Sequence, residues 1–276
     1  MNDVNSVNSF ARFLVGDEKS RATAEKYVHD VRDFLEFTGG RLIDKPTVIE
    51  YKEHLLSRRA VSGVNSVLSS LNSFFRFCGR AELCVRLLRV QNSAYCTEGR
   101  ELRREEYLRL VRAAREAGNE RLELILQTVC GTGIRVSELS FITVEAVRRG
   151  EATVSCKGKT RRVFIVKALQ KRLAEYCKRS GRGSGPVFVT RSGRPVDRSN
   201  VWREMKELCG SAGVQPSKVF PHNLRHLFAR TFYSAEKDIV KLADILGHSS
   251  INTTRIYTVT TGAEHRRRME NMRLII

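Results

Sequence analysis

Apolar residues recur at spacings of three and four through most of the first 80 residues, and this period is the strongest constraint on the fold. One such stripe holds Tyr27, Val31, Phe34 and Leu35, which would lie on one face of a helix. The glycines of TGG at 38–40 and CGR at 78–80 predict helix ends. Four segments show the pattern: SVNSFARFLV, TAEKYVHDVRDFLEFTGG, TVIEYKEHLLSRR and VNSVLSSLNSFFRFCGR.

The period is lost over VQNSAYCTEGR, residues 90–100, and we predict domains over residues 1–92 and 100–276 with a linker at 93–99. Helical patterns return in REEYLRLVRAARE and RLELILQTVCGTG. EATVSCKGKTRRVFIV predicts a β-hairpin, with strands near 152–156 and 161–166, and GPVFVT at 185–190 predicts another short strand. Further helices are predicted from Ser199, Pro221, Ala235 and near Ser250. The predicted fold class is mainly α: an all-helical N-terminal domain, then a mainly helical α+β domain with a small antiparallel sheet.

Positive charge is large and unevenly distributed. The 276 residues carry a formal net charge of +19, and residues 97–276 hold 35 of the 49 basic residues but 19 of the 30 acidic ones. Such an excess favours a polyanionic partner and places most of its contacts in the second domain. A basic protein without catalytic activity, such as a ribosomal accessory factor, is the alternative that composition alone leaves open.

The seven cysteines form no C-x-x-C pair, and their number is odd. This pattern supports neither a disulfide framework nor a zinc ribbon, and it fits reduced thiols in a reducing compartment. The first 20 residues lack the pattern of a signal peptide, and no run of about 18 apolar residues predicts a membrane span. We expect a cytoplasmic protein, associated with the nucleoid if the polyanion is DNA.

The stretch FPHNLRHLF at 220–228 places His222, Arg225 and His226 on one helical face, because offsets of three and four share a face. The two histidines have the spacing of the H-E-x-x-H zinc helix, but Asn223 stands where that motif has its glutamate. An adjacent arginine would repel a divalent cation, and no carboxylate or thiol completes a ligand set, so we expect no metal. A guanidinium instead suits a phosphate, whose oxygens it can bind in pairs.

A second arginine of this kind lies in CGTGIRVSEL. There a helix ends at Gly131–Gly133, and Arg135 begins a new one with Glu138 three residues later, where it can orient the arginine. A surface arginine with a nearby acidic partner is the common alternative. The surrounding apolar residues and the glycine turn predict that Arg135 is largely buried, and a buried charge requires a partner.

Two further segments carry groups that suit phosphate chemistry. Lys157 and Lys159 lie on the predicted hairpin turn, although a solvent-exposed turn is the simpler explanation for this stretch alone. In LGHSSINTTRIY, His248 follows a helix end, Ser249 or Ser250 can cap the next helix, and Tyr257 follows one short helix later. Core packing for the tyrosine and a polar joint for the histidine are the alternatives.

The helix over 64–78 carries serines and asparagines on its polar side and Arg76 near its end. A solvated face explains this composition, but small hydrogen-bonding side chains with an arginine also suit a DNA backbone. We assign DNA contacts to Arg76 and, on the hairpin, to Lys159, Arg161 and Arg162.

The ordered set TGIRVSEL, a lysine on a β-turn, HNLRHLFA and LGHSSINTTRIY resembles the tyrosine recombinase family, also called phage-type integrases. The spacing of Arg225, His248 and Tyr257 is similar to that of its Xer-like members. The resemblance covers roughly residues 98–276, and the helices before them resemble the family's core-binding domain in number and placement alone. Leu227 stands where a threonine is common.

The resemblance implies a role for each side chain. Tyr257 attacks the scissile phosphate and forms a 3′-phosphotyrosyl link, and His222 assists it. Arg135 and Arg225 bind the non-bridging oxygens, His248 donates to the same phosphate and Lys157 protonates the departing 5′ oxygen. Glu138 is a supporting acid and His226 has a structural role.

The same resemblance implies a site-specific recombinase that acts on double-stranded DNA through a Holliday junction, without metal, ATP or another cofactor. The expected assembly is a homotetramer on paired sites, and a second recombinase as partner is left open. Two rivals use related features: a type IB topoisomerase has a similar catalytic set, and an inactive DNA-binding regulator would share the basic surface alone.

Overall fold

The computed structural model describes residues 4–89, 101–156, 159–257 and 270–272. Its contacts divide the chain into two compact units, Met1–Asn92 and Ser93–Ile276. The predicted fold class is confirmed, because both units are mainly helical and the described strands form one antiparallel pair. Within the described residues, no helix is both long and apolar enough to cross a membrane.

The N-terminal unit is built from four helices, two of which end at the glycine segments that the sequence predicts. They are α1 Val4–Gly16, α2 Arg21–Thr38, α3 Lys45–Leu56 and α4 Val61–Phe77, with a 3₁₀ turn at Ala81–Leu83. Helix α2 begins at a Ser20 cap and ends at Gly39, which has a φ of 55°, a conformation that glycine adopts without strain. Its core consists of the apolar faces of all four helices, including the edge-to-face pairs Phe10–Phe74 and Phe34–Phe75.

Asparagines on the polar side of α4 make hydrogen bonds within the N-terminal unit. Asn72 donates to the carbonyl and accepts from the amide of Val85, and Asn65 makes the same pair of bonds with Leu88. These asparagines hold the segment after the 3₁₀ turn against the helix, as a neighbouring strand would. They are therefore occupied within the unit, whereas Arg76 on the same helix is exposed.

The C-terminal unit packs around the buried helix α6. Its helices are α5 Arg104–Glu116, α6 Glu120–Thr132, α7 Val144–Arg149, α8 Lys167–Arg179, α9 Arg198–Glu207, α10 Cys209–Ala212, α11 Pro221–Glu236, α12 Ile239–Leu246 and α13 Ile251–Thr254. The strands are β1 Glu151–Cys156 and β2 Lys159–Phe164, and 3₁₀ turns lie at Val136–Phe141, Pro216–Lys218 and Arg255–Tyr257. Leu122, Leu124 and Leu126 of α6 are fully buried, and this helix contacts α5, α8 and α11.

Three local predictions are wrong. Lys159 is not in the hairpin turn, because it pairs with Cys156 at the start of β2. GPVFVT forms single bridges from Pro186 and Val189 rather than a strand. The helix expected from Ala235 begins at Ile239, because α11 continues to Glu236 and Asp238 caps α12 through two backbone amides.

Candidate active site

Arg225 on α11 is a charged side chain with 2% of its surface exposed. Its Nη1 donates to the carbonyl of Gly133 at 2.5 Å, and its Nη2 donates to the carbonyl of Leu246 at 2.7 Å. Both carbonyls lie at helix C-termini, where backbone oxygens lack helical partners and carry partial negative charge. Burial and the nearby charge of Arg135 lower the pKa of Arg225 to about 10, so it stays charged at neutral pH.

Two glycines make this arrangement of carbonyls possible. Gly133 and Gly247 both have a φ of 66° and end α6 and α12. A Cβ at Gly133 would lie 2.5 Å from the ring of Phe228, and a Cβ at Gly247 would lie 2.7 Å from Cδ of Arg161. Both backbone conformation and space therefore require glycine at these positions.

Glu138 holds two arginines of the site together. Its side chain is 2% exposed, binds Arg135 Nη1 at 2.9 Å and forms a bidentate pair with Arg161 at 3.0 and 2.7 Å. It also accepts from the backbone amide of Arg135. Burial acts to raise the pKa of Glu138, but the bonds from Arg161 and Arg135 outweigh it and lower the pKa to about 2. The carboxylate is therefore ionised and fully engaged.

Arg135 is less enclosed than expected, because 37% of its side chain is exposed. One side of the guanidinium is held by Glu138, and the rest faces a cavity of about 230 Å³. Arg225 and His222 line the same cavity, as does Arg198 at the start of α9. The cavity lining is therefore strongly cationic and open to a ligand.

His222 and His226 lie one turn apart on α11, with ring centroids 4.5 Å apart. Reduced hydration and then the charges of Arg225, Arg198 and Arg135 lower the pKa of His222. Burial lowers the pKa of His226 to about 4, with His222 and Arg225 acting in the same direction. The Nε2 atom of His226 is buried and has no hydrogen-bond partner among the described residues.

His248 lies between Arg225 and the short helix α13. Its Nε2 is 3.1 Å from Nη2 of Arg225, and its Nδ1 is 2.8 Å from Oγ1 of Thr254. Burial and the charge of Arg225 lower the pKa of His248 to about 4. The imidazole is therefore neutral at neutral pH and is held at both nitrogens.

Tyr257 follows α13 and is 3% exposed. Its ring meets His226 edge to face, with centroids 4.7 Å apart, and stacks on His248 at 5.9 Å. Ala229, Leu242 and Leu246 form the apolar cluster around it. The structure thus brings Tyr257 against His248, which was predicted to act with it, and against His226, which was assigned a structural role, in a position closed to bulk solvent.

The assigned basic residues of the hairpin differ in environment. Arg162 is 70% exposed and 3.8 Å from Glu151, whereas Arg161 is 13% exposed and is held by Glu138. Lys157 lies outside the described residues. For Lys159 the structure describes the backbone pairing alone.

Sequence reasoning missed three residues of the site: Arg161 as a member of it, Thr254 and Arg198. The alternation of side chains along β2 could have indicated Arg161, because Arg161 and Val163 lie on the same face of the strand. Val163 is 3% exposed, while Phe164 on the other face is 67% exposed. Arg198 gave no comparable signal, since its place in the cavity depends on how separate helices meet. Thr254 contacts His248 from six residues later in the chain, and no periodic pattern indicated this contact.

This arrangement suits a tetrahedral oxyanion. Guanidinium groups converge on a cavity, imidazoles of lowered pKa surround a phenol, and the nearby carboxylate is already paired. Arg225 has five N–H groups, and two of them have no partner among the described residues. Oriented N–H donors around a phenol can bind a phosphodiester and stabilise negative charge on its oxygens.

Comparison with known proteins gives a consistent result. A family model described as the phage integrase family matches residues 100–264. The tyrosine recombinase XerA of Thermococcus kodakarensis is 30% identical, over 98% of this chain and 95% of the relative. The crystal structure of XerA recombinase matches with a TM-score of 0.55 and 26% identity, covering 99% of each chain. A lambda integrase tetramer bound to a Holliday junction matches with a TM-score of 0.69 and 16% identity, covering 92% of this chain and 76% of that one.

Proposed function

Because the chain belongs to the phage integrase family and is a tyrosine-type site-specific recombinase, we propose that Tyr257 is the nucleophile that cleaves DNA. The observation that carries this assignment is the contact of the Tyr257 ring with His226 and His248, beside the buried Arg225. The type IB topoisomerase and the inactive regulator are not favoured, because the relative matched over nearly the whole chain is a recombinase.

In the proposed cleavage step, Tyr257 Oη attacks the scissile phosphorus while the bond to the 5′ oxygen breaks. His222 assists removal of the phenolic proton, and Lys157 gives a proton to the departing 5′ oxygen. Arg135 and Arg225 bind the non-bridging oxygens, where charge develops.

Rejoining reverses this step. A 5′ hydroxyl attacks the 3′-phosphotyrosyl ester and releases the tyrosine, and two rounds of exchange pass through a Holliday junction. One phosphoester replaces another in each step, so the chemistry needs neither ATP nor a metal ion.

DNA binding is proposed to use both units. The charge excess of residues 97–276 supports phosphate contacts by the C-terminal unit, with Lys159 and the exposed Arg162 as proposed contacts. We assign to residues 1–92 the role of a core-binding domain with Arg76 as a contact, and to residues 100–276 the role of the catalytic domain. We propose that the protein acts in the cytoplasm, in association with the nucleoid, because its proposed substrate is DNA.

On paired sites, the proposed assembly is a homotetramer, as in the solved lambda integrase tetramer on a Holliday junction. The sequence ends in the apolar residues 274–276, which lie outside the described residues, and we propose that they dock on a neighbouring copy. An apolar cavity of about 510 Å³ between α5, α6, α8 and α11, lined by Leu169, Phe228 and Phe232, could receive these residues and supports the proposal.

Deleting residues 264–276 should leave the affinity for a single DNA site unchanged in band-shift assays. The same deletion should weaken assembly on paired sites, measured by analytical ultracentrifugation. Unchanged assembly would contradict the docking.

A nicked suicide substrate carrying the cognate site tests the nucleophile. Wild-type protein should form a covalent adduct that survives on a denaturing gel, and Tyr257→Phe should bind the same DNA but form none. Tyr233→Phe is the matched control, because Tyr233 packs against the same apolar cluster and should still form the adduct. An adduct with Tyr257→Phe and none with Tyr233→Phe would move the nucleophile to Tyr233.

A further inference from the structure

Thr254 contacts His248 but has no part in the reaction scheme above. It is the last residue of α13, fully buried, and three positions before Tyr257. Its Oγ1 lies 2.8 Å from Nδ1 of His248. This hydroxyl therefore links the segment that carries the nucleophile to the imidazole that faces Arg225.

The contacts of His248 determine which of its nitrogens carries the proton. A guanidinium donates hydrogen bonds and cannot accept them, so Nε2 of His248 accepts from Nη2 of Arg225 across 3.1 Å. The neutral ring then has its proton on Nδ1 and donates it to Oγ1 of Thr254. In this arrangement, Thr254 is thus the acceptor.

The proposed role of His248 requires the opposite arrangement. To donate to the phosphate that Arg225 binds, His248 must carry a proton on Nε2, and a neutral imidazole has one N–H. Nδ1 then holds a lone pair in a buried place and needs a donor. A hydroxyl can supply it by rotation because it donates as well as accepts, whereas a carbonyl could not.

We propose that Thr254 is a positioning residue for His248, whose hydroxyl changes from acceptor to donor when a DNA phosphate replaces Arg225 as the partner of Nε2. One proton leaves Nδ1 and one is taken up at Nε2 by exchange with water, so the ring stays neutral. The inference rests on the proposed function, since it assumes that His248 donates to the phosphate. It adds a residue whose hydroxyl keeps both nitrogens of the ring paired in both states.

The kinetic test compares Thr254→Val, which keeps the shape and loses the hydroxyl, with Thr254→Ser, which keeps the hydroxyl. Single-turnover cleavage at saturating DNA should fall roughly tenfold or more in Thr254→Val, as expected when a buried partner is lost. Thr254→Ser should cleave within about twofold of wild type. Thr253→Val is the matched control, because Thr253 is exposed. Equal loss in Thr254→Val and Thr254→Ser, or no loss in either, would overturn the proposal.

Nitrogen-15 spectra of histidine-labelled Tyr257→Phe protein test the tautomer without any cleavage. His248 should carry its proton on Nδ1 in the free protein and on Nε2 when bound to a DNA site. A proton on Nε2 in the free protein, or no change on binding, would refute the switch. An adduct formed by Tyr257→Phe in the suicide assay would instead remove the proposed nucleophile, and the free-protein spectrum would still report on the Thr254 contact.

Discussion

The two units treat their buried polar groups differently. In the N-terminal unit, Asn72 and Asn65 each satisfy both functions of the amide with backbone partners. Among the described residues of this unit, no buried side-chain nitrogen or oxygen lacks a hydrogen-bond partner, whereas in the C-terminal unit Arg161 Nε, Arg182 Nε and His226 Nε2 do. Native proteins pair nearly all buried polar groups. Two of these atoms belong to residues of the candidate site: His226 meets the ring of Tyr257, and Arg161 binds Glu138, the partner of Arg135.

The largest effect that this comparison predicts is on cleavage. Arg225→Lys keeps the charge but loses the planar fork that contacts two helix ends, so cleavage should fall by roughly 10²–10³-fold, as for loss of one oxyanion donor. Asn72→Ala should lower the free energy of unfolding yet leave cleavage per folded molecule unchanged. Suicide-substrate kinetics with thermal melts separate the two quantities. If folded Asn72→Ala cleaved DNA ten times more slowly than wild type, the polar contacts of the N-terminal unit would not act on stability alone, and the contrast with the C-terminal unit would be wrong.

A buried carboxylate from each unit, Glu138 and Asp30, sharpens the same comparison. A glutamate whose pKa falls from 4.5 to about 2 contributes about 3 kcal/mol to stability above pH 4.5. Glu138→Gln should therefore lose about that amount at pH 7 and also slow cleavage, because Arg135 and Arg161 lose their common partner. Since the folded pKa is the lower one, the stability difference from wild type should shrink as the pH falls from 4.5 towards 2.

Asp30→Asn is the control for that substitution. Asp30 is 5% exposed and is held by Lys26 and Ser70 within the N-terminal unit. Lys26 is itself 38% exposed, so the pair is partly screened and the loss of stability should be smaller. Urea unfolding at several pH values measures both variants. Slower cleavage by Asp30→Asn than by Glu138→Gln would contradict the assignment of Glu138 to the site.

Sequence patterns predicted those parts of the fold that depend on neighbours in the chain. The helices of the N-terminal unit and the glycine at the end of α2 follow from periodicity and capping, and the structure confirms them. A cap at Ser249 or Ser250 was also expected for α13, and the structure has it at Ser250. The ordered motifs also identified Arg135, Arg225, His248 and Tyr257 as members of one site, although they are spread over more than 120 residues of the chain. Their assigned roles are proposals that the experiments above test.

Contacts between distant segments were beyond those patterns. Arg135 was expected to be largely buried because its neighbours are apolar, yet 37% of its side chain is exposed. Arg225 is instead enclosed by backbone carbonyls from the ends of two other helices. Asn72 looked like part of a polar surface, yet it pairs with a segment 13 residues later. In each case, the burial of the side chain depends on where a second segment packs. The periodicity of apolar residues within one helix contains no information on that packing.

The smallest predicted effect concerns the unpaired His226. Its pKa is lowered from 6.5 to about 4, so folding favours the neutral ring, and stability present above pH 6.5 is lost as the pH falls towards 4. For one histidine this loss is about 2 kcal/mol at pH 5. His226→Phe keeps an aromatic edge against Tyr257 and removes the titrating nitrogen, so its stability should fall less steeply between pH 6.5 and 5. His248 also has a lowered pKa, so the stability of His226→Phe should still fall to some extent over this pH range.

Thermal melts between pH 6.5 and 5 measure the difference. His29→Phe in the N-terminal unit is the control, because the side chain of His29 is 73% exposed. If His226→Phe and wild type lose stability in parallel, the half-buried ring of His226 does not control the acid sensitivity of this unit.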